Sequence, residues 1–247
     1  MEAPRADVGP TGRTQSKVSL TPRGWKRLLG GHPWVFRDDL ASVDADSGDL
    51  VAIHDPGGKE RCRGFYSAAS KIALRVVTRR PGAVDERALL VERLDRAAAR
   101  RPRRGGDEAE RLVASEADEL PGLIVDRYAD VLCVQHAIPF WERRRDLVLE
   151  TLRARHSPRA VIARDDFSAR TLEGLPRRTE RLFGDEPGAV EIREGEVRFG
   201  IDPVAGQKTG FFLDQRENRR TIRRHAAGAA VLNVFSYTGG FSLHALL

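Results

Sequence analysis

The last fifth of the chain constrains the fold most, because an apolar segment there runs directly into a turn of small residues. Residues 231–235 are mainly apolar, Thr238 follows shortly after them, and then come Gly239 and Gly240. This order predicts a β-strand, a tight turn and the first turn of an α-helix. Two glycines let a ligand approach the backbone closely, and a helix N-terminus offers unpaired N–H groups to a nucleotide-like group.

The sequence ends at Leu247, a few residues into this predicted helix. A doubly wound α/β sheet needs several strands with helices on both faces. We therefore expect residues 230–235 to be the first strand of a new sheet. The chain would then contain a cofactor-binding turn without most of the domain that completes it.

The composition is that of a globular chain with an excess of arginine. Of its 247 residues, 42 are basic and 36 are acidic, which gives a net charge of +6. Arginine forms bidentate contacts with phosphate and stacks on bases, so the excess is compatible with an RNA partner. A GC-rich genome explains it more simply, and charge alone leaves both explanations open.

The two cysteines, Cys62 and Cys133, have neither CxxC spacing nor neighbouring histidines. They predict buried structural thiols, without a zinc site or a disulfide framework. The polar first 15 residues lack the apolar core of a signal peptide. No segment approaches the roughly 18 apolar residues of a membrane span. These features predict a cytoplasmic protein with no metal and no membrane partner, in which residues 1–16 are a disordered tail.

Short apolar segments separated by turn residues indicate a small β-barrel over residues 17–78. Asp55-Pro56-Gly57-Gly58 is a strong turn signal inside it. A helical turn is predicted over residues 21–29. The predicted strands are residues 18–20, 50–54, 63–67 and 72–77.

The hydrophobic period then changes, which predicts a central α+β domain over residues 79–188. Helices are expected at residues 84–100 and 140–155, and residues 165–188 are expected to be rich in loops. The predicted strands are residues 111–115, 123–127, 131–136 and 160–164. Beyond this domain, a hairpin over residues 190–201 and a helix over residues 215–227 are predicted.

Four motifs occur in a fixed order along the chain. They are His32 to Phe36, Asp118 to Tyr128, Gln207 to Arg216 and Asn233 to Phe241. Together they resemble the class I S-adenosylmethionine-dependent methyltransferases of large-subunit rRNA, of the 23S rRNA cytosine-5 methyltransferase I type. The resemblance extends from about residue 17 to the end of the chain.

This resemblance implies an N-terminal PUA-like RNA-binding barrel, a central α+β domain and the beginning of a Rossmann-like α/β methyltransferase domain over residues 189–247. The implied cofactor is S-adenosyl-L-methionine, the implied substrate is large-subunit rRNA and the implied product is 5-methylcytosine. A homodimer is compatible with the same resemblance.

S-adenosylmethionine presents an amino acid, a sulfonium cation and an adenosine, so its site needs close backbone approach, polar anchors and an apolar slot. There is no G-x-G-x-x-G, so a nicotinamide cofactor has little support. The alternative for the glycine turn is a simple strand-to-helix connection. The candidates in this motif are Asn233, Ser236, Tyr237, Thr238, Gly239 and Gly240.

The preceding motif carries the stronger signal, because Lys208 is the only lysine after Lys71. Phe211 and Phe212 either wall the adenine or fill the core, and a core role is expected for one of them. Asp214 either binds the methionine moiety or caps the following helix. The cofactor candidates here are Gln207, Lys208, Thr209, Phe212, Asp214 and Arg216.

The resemblance places RNA contacts on the N-terminal barrel, where phosphate contacts and stacking dominate recognition. The alternative is that Trp34 and Phe36 are core residues of an alternating strand, which is the favoured role for Phe36. The RNA-binding candidates are Lys26, Arg27, His32, Trp34 and Arg37.

Methylation at cytosine C5 needs a cysteine thiolate that adds to C6 of an accessible base. The family carries this cysteine, with an Asp-Pro-Pro motif, downstream of the region present here, so no catalytic residue is assigned. Cys62 and Cys133 are poor candidates. We expect the chain as given to bind RNA weakly, to bind the cofactor poorly and not to methylate. A non-catalytic RNA-binding protein and a family member acting on another base or RNA are the alternatives.

Overall fold

The computed structural model describes residues 16–101 and 105–247. The chain divides into two compact units, with the boundary between Ala83 and Val84. The predicted disordered tail, apart from its last residue, lies outside the described residues. The predicted barrel falls within the first unit, and the three-part division of the sequence stays a prediction.

Over residues 16–83, the first unit contains a curled six-stranded sheet and one α-helix, α1 (Pro22–Leu29). In the sheet the strands lie in the order β2-β6-β5-β4-β1-β3, and β1 and β4 form its one parallel pair. Its core is apolar and includes Val18, Val35 and Leu74. The strands are β1 (Lys17–Leu20), β2 (Trp34–Phe36), β3 (Leu40–Asp44), β4 (Leu50–His54), β5 (Glu60–Tyr66) and β6 (Ile72–Thr78).

Helix α1 is held beside β2 by its cap and by a buried carboxylate. Thr21 Oγ1 accepts a hydrogen bond of 3.1 Å from the Gly24 amide, and proline occupies the first turn, as is common at helix N-termini. A Cβ on Gly24 would lie 2.5 Å from the carbonyl oxygen of Asp39, so only glycine fits there. The buried Asp39 carboxylate binds Arg23 and Arg27 of α1.

The second unit is built on a five-stranded sheet in the order β11-β10-β9-β8-β7. Only β9 and β10 are parallel neighbours. The strands are β7 (Ala109–Ala114), β8 (Leu123–Tyr128), β9 (Val131–His136), β10 (Ala160–Asp165) and β11 (Arg178–Phe183). The helices around it are α2 (Glu86–Arg100), α3 (Pro139–Glu142), α4 (Arg145–His156) and α5 (Ala169–Leu172).

The C-terminal part of the chain packs on one face of this sheet. A hairpin of β12 (Val190–Glu194) and β13 (Val197–Ile201) is followed by α6 (Arg216–Ala226) and α7 (Gly240–Ala245). Because side chains alternate along a strand, Tyr128, Cys133 and Ile162 share the face that contacts the hairpin. Phe199 and Phe211 complete this core, with ring centroids 4.9 Å apart.

Three predicted elements differ from the structure. The helix expected at residues 140–155 is two helices, α3 and α4, and the region expected to be loops contains α5 and β11. The strand predicted at residues 230–235 is wrong, because those residues have no regular secondary structure. A strand needs a hydrogen-bonded neighbour, and within the described ranges none pairs with this segment. Leu232 and Phe235 are consequently exposed.

Across residues 16–101 and 105–247, none of the helices has the length and apolar character needed to cross a membrane.

Candidate functional site

An open cleft of about 600 Å³ lies between the segment after β13 and the turn before α7. Half of the predicted cofactor residues line it: Gln207, Phe212, Ser236, Tyr237, Thr238 and Gly240. Phe211, Gln215, Arg219, Phe235 and Phe241 line it as well, and of these only Phe211 was considered from the sequence. The two motifs that are separate in sequence therefore form the two walls of one site.

Tyr237 joins the two walls. Its hydroxyl accepts a hydrogen bond of 3.0 Å from the Gln207 amide and donates one of 3.2 Å to the Gly210 carbonyl. Its ring meets the Phe212 ring edge-on, with centroids 5.4 Å apart. Tyr237 thus joins its own wall to the opposite one through two backbone hydrogen bonds and one aromatic contact, which together set the width of the cleft.

Lys208 and Asp214 form an exposed pair outside the cleft lining. The Lys208 ammonium lies 3.0 Å and 3.1 Å from the two carboxylate oxygens of Asp214 and 4.3 Å from the Phe212 ring centroid. Burial would raise the pKa of Asp214, but Lys208 outweighs it and the pKa is lowered. The capping role considered for Asp214 is wrong, because Gln215 precedes α6 and no side chain caps that helix.

Thr209 and Arg216 also point away from the cleft. Thr209 is buried against the sheet, where its hydroxyl contacts Asp126 and Tyr128. Arg216 binds Glu194 with an Nε–Oε2 distance of 3.4 Å and lines a second cavity of about 380 Å³. Their roles as cofactor ligands stay predictions, as do those of Lys208 and Asp214.

Asn233 and Gly239 lie beside the cleft rather than in its lining. The Asn233 amide donates to the Ser242 hydroxyl at 2.9 Å. Gly239 precedes α7 with a φ of +69°, and its amide donates to the Ser236 carbonyl at 2.8 Å. This left-handed conformation is one that glycine adopts without strain. Both residues shape the turn, and their direct contact with a cofactor stays a prediction.

A buried charge cluster of Glu194, Arg219 and His244 packs against the cleft, and no sequence motif indicated it. The Glu194 carboxylate receives two hydrogen bonds from Arg219, of 2.8 Å and 2.6 Å, and its Oε1 lies 3.1 Å from His244 Nε2. Arg219 also donates to the Phe212 carbonyl at 2.8 Å and lies 4.5 Å from the Phe211 ring centroid.

Opposed effects set the protonation of this cluster. Burial would raise the pKa of Glu194, but the hydrogen bonds and charge of Arg219 outweigh it and lower the pKa. For His244, burial is the largest effect and lowers the pKa, while the neighbouring Glu194 carboxylate opposes it in part. The cluster therefore holds an ionised carboxylate against an arginine.

On the first unit, the RNA-binding candidates converge around β2. Trp34 and Phe36 are half-buried on one face of this strand, while Val35 between them is buried. The core role favoured for Phe36 is therefore wrong. The His32 ring lies 6.0 Å from each of the two aromatic rings, and the Arg27 guanidinium lies 5.1 Å from the Phe36 centroid. We name Arg27, His32, Trp34 and Phe36 the β2 aromatic cluster.

The other two RNA-binding candidates are Arg37, which is held by hydrogen bonds, and Lys26, which is exposed. Arg37 hydrogen-bonds the carbonyls of Ala68 and Ser70, the latter at 2.6 Å, which fixes the loop before β6. Lys26 is exposed on α1 beside Arg27. Lys26 is thus placed to add positive charge near the β2 aromatic cluster, whereas Arg37 has a structural role that sequence patterns did not indicate.

Both cysteines are buried, as predicted. Burial raises the pKa of Cys62 to about 11. Burial also raises the pKa of Cys133, whose sulfur donates to the Pro203 carbonyl at 3.7 Å. Neither thiol has the environment of a thiolate nucleophile, which requires exposure and neighbouring positive charge.

Two protein families match separate parts of the chain. Residues 18–79 match the family of PUA-like domains. Residues 174–247 match the S-adenosylmethionine-dependent methyltransferases, and both walls of the cleft lie within this match.

The relatives span a greater length than the chain. It is 38% identical over 227 residues to the ribosomal RNA large subunit methyltransferase I of Aliivibrio fischeri, covering 90% of this chain and 57% of that protein. The protein of the same name from Photobacterium profundum is 38% identical over 228 residues, with the same coverage. The chain thus spans a little over half the length of these relatives.

Two solved structures share the fold. One is a protein from Streptococcus mutans described as a SAM-dependent methyltransferase, with a TM-score of 0.76 at 22% identity over 93% of this chain and 60% of that one. The other is described as a methyltransferase in complex with SAH, with a TM-score of 0.78 at 22% identity over 93% of this chain and 59% of that one. The two sequence relatives carry the name of the family that the motifs resemble, and the two solved structures show the fold class inferred from the motifs.

Proposed function

From this kinship with the large-subunit rRNA methyltransferases, we propose that the protein is an S-adenosylmethionine-dependent methyltransferase that acts on large-subunit rRNA. The observation that carries the proposal is the cleft itself. Its two walls are the two cofactor motifs, Gln207 to Arg216 and Asn233 to Phe241, brought together around Tyr237.

The residues of the cleft fit S-adenosylmethionine. The volume of the cleft, about 600 Å³, lies within the range of small-molecule sites. The rings of Phe212 and Tyr237 offer an apolar slot for adenine, and Ser236 and Thr238 offer hydroxyls for polar groups. Arg219 lines the cleft, and Glu194 neutralises its charge. The arginine therefore does not oppose a sulfonium cation with an unbalanced positive charge.

When bound, S-adenosylmethionine supplies an electrophilic methyl group. The contribution of this chain is to bind and orient the cofactor and to place RNA near it. Activation of cytosine C5 needs a thiolate, and the buried Cys62 and Cys133 do not provide one. Modification of cytosine C5 therefore follows from the kinship alone, and methylation of another base or RNA is the alternative within the same family.

The first unit supports the RNA part of the proposal. The β2 aromatic cluster combines stacking surfaces with Arg27, and Lys26 is exposed next to it. Aromatic and arginine side chains together are typical of surfaces that bind unpaired bases and phosphate. A ribosomal substrate would place the protein in the cytoplasm, and the homodimer stays a prediction.

Two measurements test the proposal in sequence. Calorimetric titration with S-adenosylhomocysteine first asks whether the cleft binds the cofactor. Fluorescence anisotropy with a 23S rRNA fragment then asks whether the protein binds the RNA. RNA binding without cofactor binding would favour the non-catalytic RNA-binding alternative, and binding of neither would overturn the proposal.

A further inference from the structure

The motif Asp118 to Tyr128 has no direct place in the cleft, yet two of its side chains hold the segment that does. Asp126 and Tyr128 are alternate residues on β8, so both project from the same face of the sheet. Both are fully buried, and both contact Thr209. Thr209 lies between Lys208 and Gly210, in the wall of the cleft that faces Tyr237.

The hydrogen bonds between these residues have a defined direction. The Arg111 guanidinium donates to both oxygens of the Asp126 carboxylate at 2.8 Å. The Thr209 hydroxyl donates to Asp126 Oδ2 at 2.5 Å, since an ionised carboxylate can only accept. Burial raises the pKa of Tyr128, so its hydroxyl keeps its proton and donates to Thr209 Oγ1 at 2.7 Å.

A second anchor lies on β10. The buried Arg164 donates to the Pro203 carbonyl at 3.1 Å and to the Gly206 carbonyl at 2.7 Å. Within the loop, a Cβ on Gly206 would lie 2.4 Å from the carbonyl oxygen of Asp202, so the chain is tightly folded. Residues 203–209 are therefore attached to the sheet at both ends by buried polar side chains.

We propose that Asp126, Tyr128 and Thr209 form a polar strut that positions the Gln207–Phe212 wall for cofactor binding. Asp126 and Tyr128 are positioning residues, because they do not line the cleft and hold its wall through Thr209, to which Tyr128 adds a 3.5 Å hydrogen bond to the Phe211 carbonyl. Two residues before Thr209, the Gln207 amide meets Tyr237, and three residues after it the Phe212 ring meets the same side chain. A shift of Thr209 would move both contacts.

The test compares Thr209→Val, which removes the hydroxyl at nearly constant volume, with Thr209→Ser, which keeps it. Tyr128→Phe is the milder second variant if Thr209→Val fails to fold. The measurements on the whole protein are amide hydrogen exchange in peptides covering residues 203–212, the midpoint of thermal unfolding, and affinity for S-adenosylhomocysteine. Exchange in peptides from α4 and β11, which make no contact with Thr209 among the hydrogen bonds described, serves as the internal reference.

The strut predicts that Thr209→Val accelerates exchange in residues 203–212 by about tenfold, while the reference peptides change little and Thr209→Ser behaves as the wild type. Cofactor affinity falls by about tenfold in the same variant. Equal acceleration throughout the second unit, or none in this segment, would overturn the inference.

The affinity measurement rests on the proposed function, whereas the exchange measurement does not. If the wild-type protein fails to bind S-adenosylhomocysteine, the proposed function fails while the exchange result still decides whether the strut positions this wall. Should Thr209→Val not fold, the exchange pattern of Tyr128→Phe decides by the same criterion.

Discussion

The Tyr237 hydroxyl accepts a 3.0 Å hydrogen bond from the backbone amide of Gln207, which is 30 residues away in the chain. The same hydroxyl donates to the Gly210 carbonyl, so one side chain satisfies two backbone groups of the opposite wall. Loop backbone groups that are satisfied in this way are held in one conformation. The cleft is thereby preorganised for a ligand, which lowers the entropic cost of binding.

Tyr237→Phe should weaken the binding of S-adenosylhomocysteine by about five- to tenfold, because it keeps the ring and removes both hydrogen bonds. Calorimetric titration measures the change in Kd. Tyr66→Phe in the first unit removes a hydroxyl of the same kind and should leave Kd unchanged. An unchanged Kd for Tyr237→Phe would show that the hydroxyl does not organise the cleft.

Trp34→Ala should weaken RNA binding by about tenfold or more, because stacking on an aromatic ring contributes roughly 1–3 kcal/mol per base.

Lys26→Ala should weaken RNA binding less and reduce the dependence of affinity on salt, since it removes one phosphate contact. Lys17→Ala on β1, separated from β2 by three strands, is the matched charge control. Fluorescence anisotropy with an rRNA fragment measures each affinity, and equal effects of the two lysine variants would argue against this surface.

Cys62 and Cys133 should not react with a chromogenic disulfide reagent at about pH 8 while the protein is folded, because burial raises both pKa values and excludes the reagent. Unfolding in guanidinium chloride should release both thiols. Rapid reaction of either thiol in the folded protein would contradict the assignment of both cysteines to the core.

Acidification should destabilise the second unit through His244 and then Glu194. The pKa of His244 lies below its ordinary value of 6.5, so the unfolded chain takes up a proton before the folded protein does and stability falls as pH drops below 6.5. The lowered pKa of Glu194 extends the loss below 4.5, as the carboxylate is protonated. His244→Gln should make the midpoint of thermal unfolding less sensitive to pH between about 7 and 5.

His225, exposed in the last turn of α6, provides the matched control. His225→Gln should leave the pH dependence of the midpoint as it is in the wild type. If His244→Gln and His225→Gln give the same profile, the buried cluster is not the source of the acid sensitivity.

Gly122→Ala should lower the midpoint of thermal unfolding more than Gly195→Ala. Both glycines have positive φ, so alanine costs about 1–2 kcal/mol in backbone strain at either position. At Gly122 the new Cβ would also lie 2.7 Å from the Ile138 side chain, which adds roughly 1–3 kcal/mol, whereas nothing lies within 4 Å at Gly195. Equal shifts of the midpoint would show that Ile138 moves aside without cost.

Local patterns predicted the elements whose stability comes from their own neighbours in sequence. In α2 the apolar spacing predicts one inner face of Leu89, Leu90, Leu94 and Ala97, of which the last three are buried and Leu89 is half-buried. The helix expected at residues 140–155 is interrupted at residues 143–144, where Arg144 pairs with Glu86 of α2 and lies over the Phe140 ring. An ion pair between residues 58 positions apart leaves no periodic signal.

The residues of the predicted cofactor site also have different roles because of contacts between residues distant in the chain. Residues of one motif alternate between the cleft and the sheet: Gln207 and Phe212 face Tyr237, while Thr209 faces Asp126. The sequence indicated the segment as a whole and could not separate these roles, because the separating contacts come from β8 and from the turn before α7. The support given by Glu194, Arg219 and His244 was missed, since no spacing links these three positions.

By itself, the sequence indicated most of the helices and strands, a small β-barrel in the first unit and the resemblance carried by its four motifs, since these depend on local periodicity and residue identity. Only the tertiary structure decided that Tyr237 closes the cleft, that Asp126 and Tyr128 hold Thr209, and that Phe36 lies at a surface. Each of these follows from contacts between residues distant in the chain, and burial and hydrogen bonding across such distances depend on the packed fold.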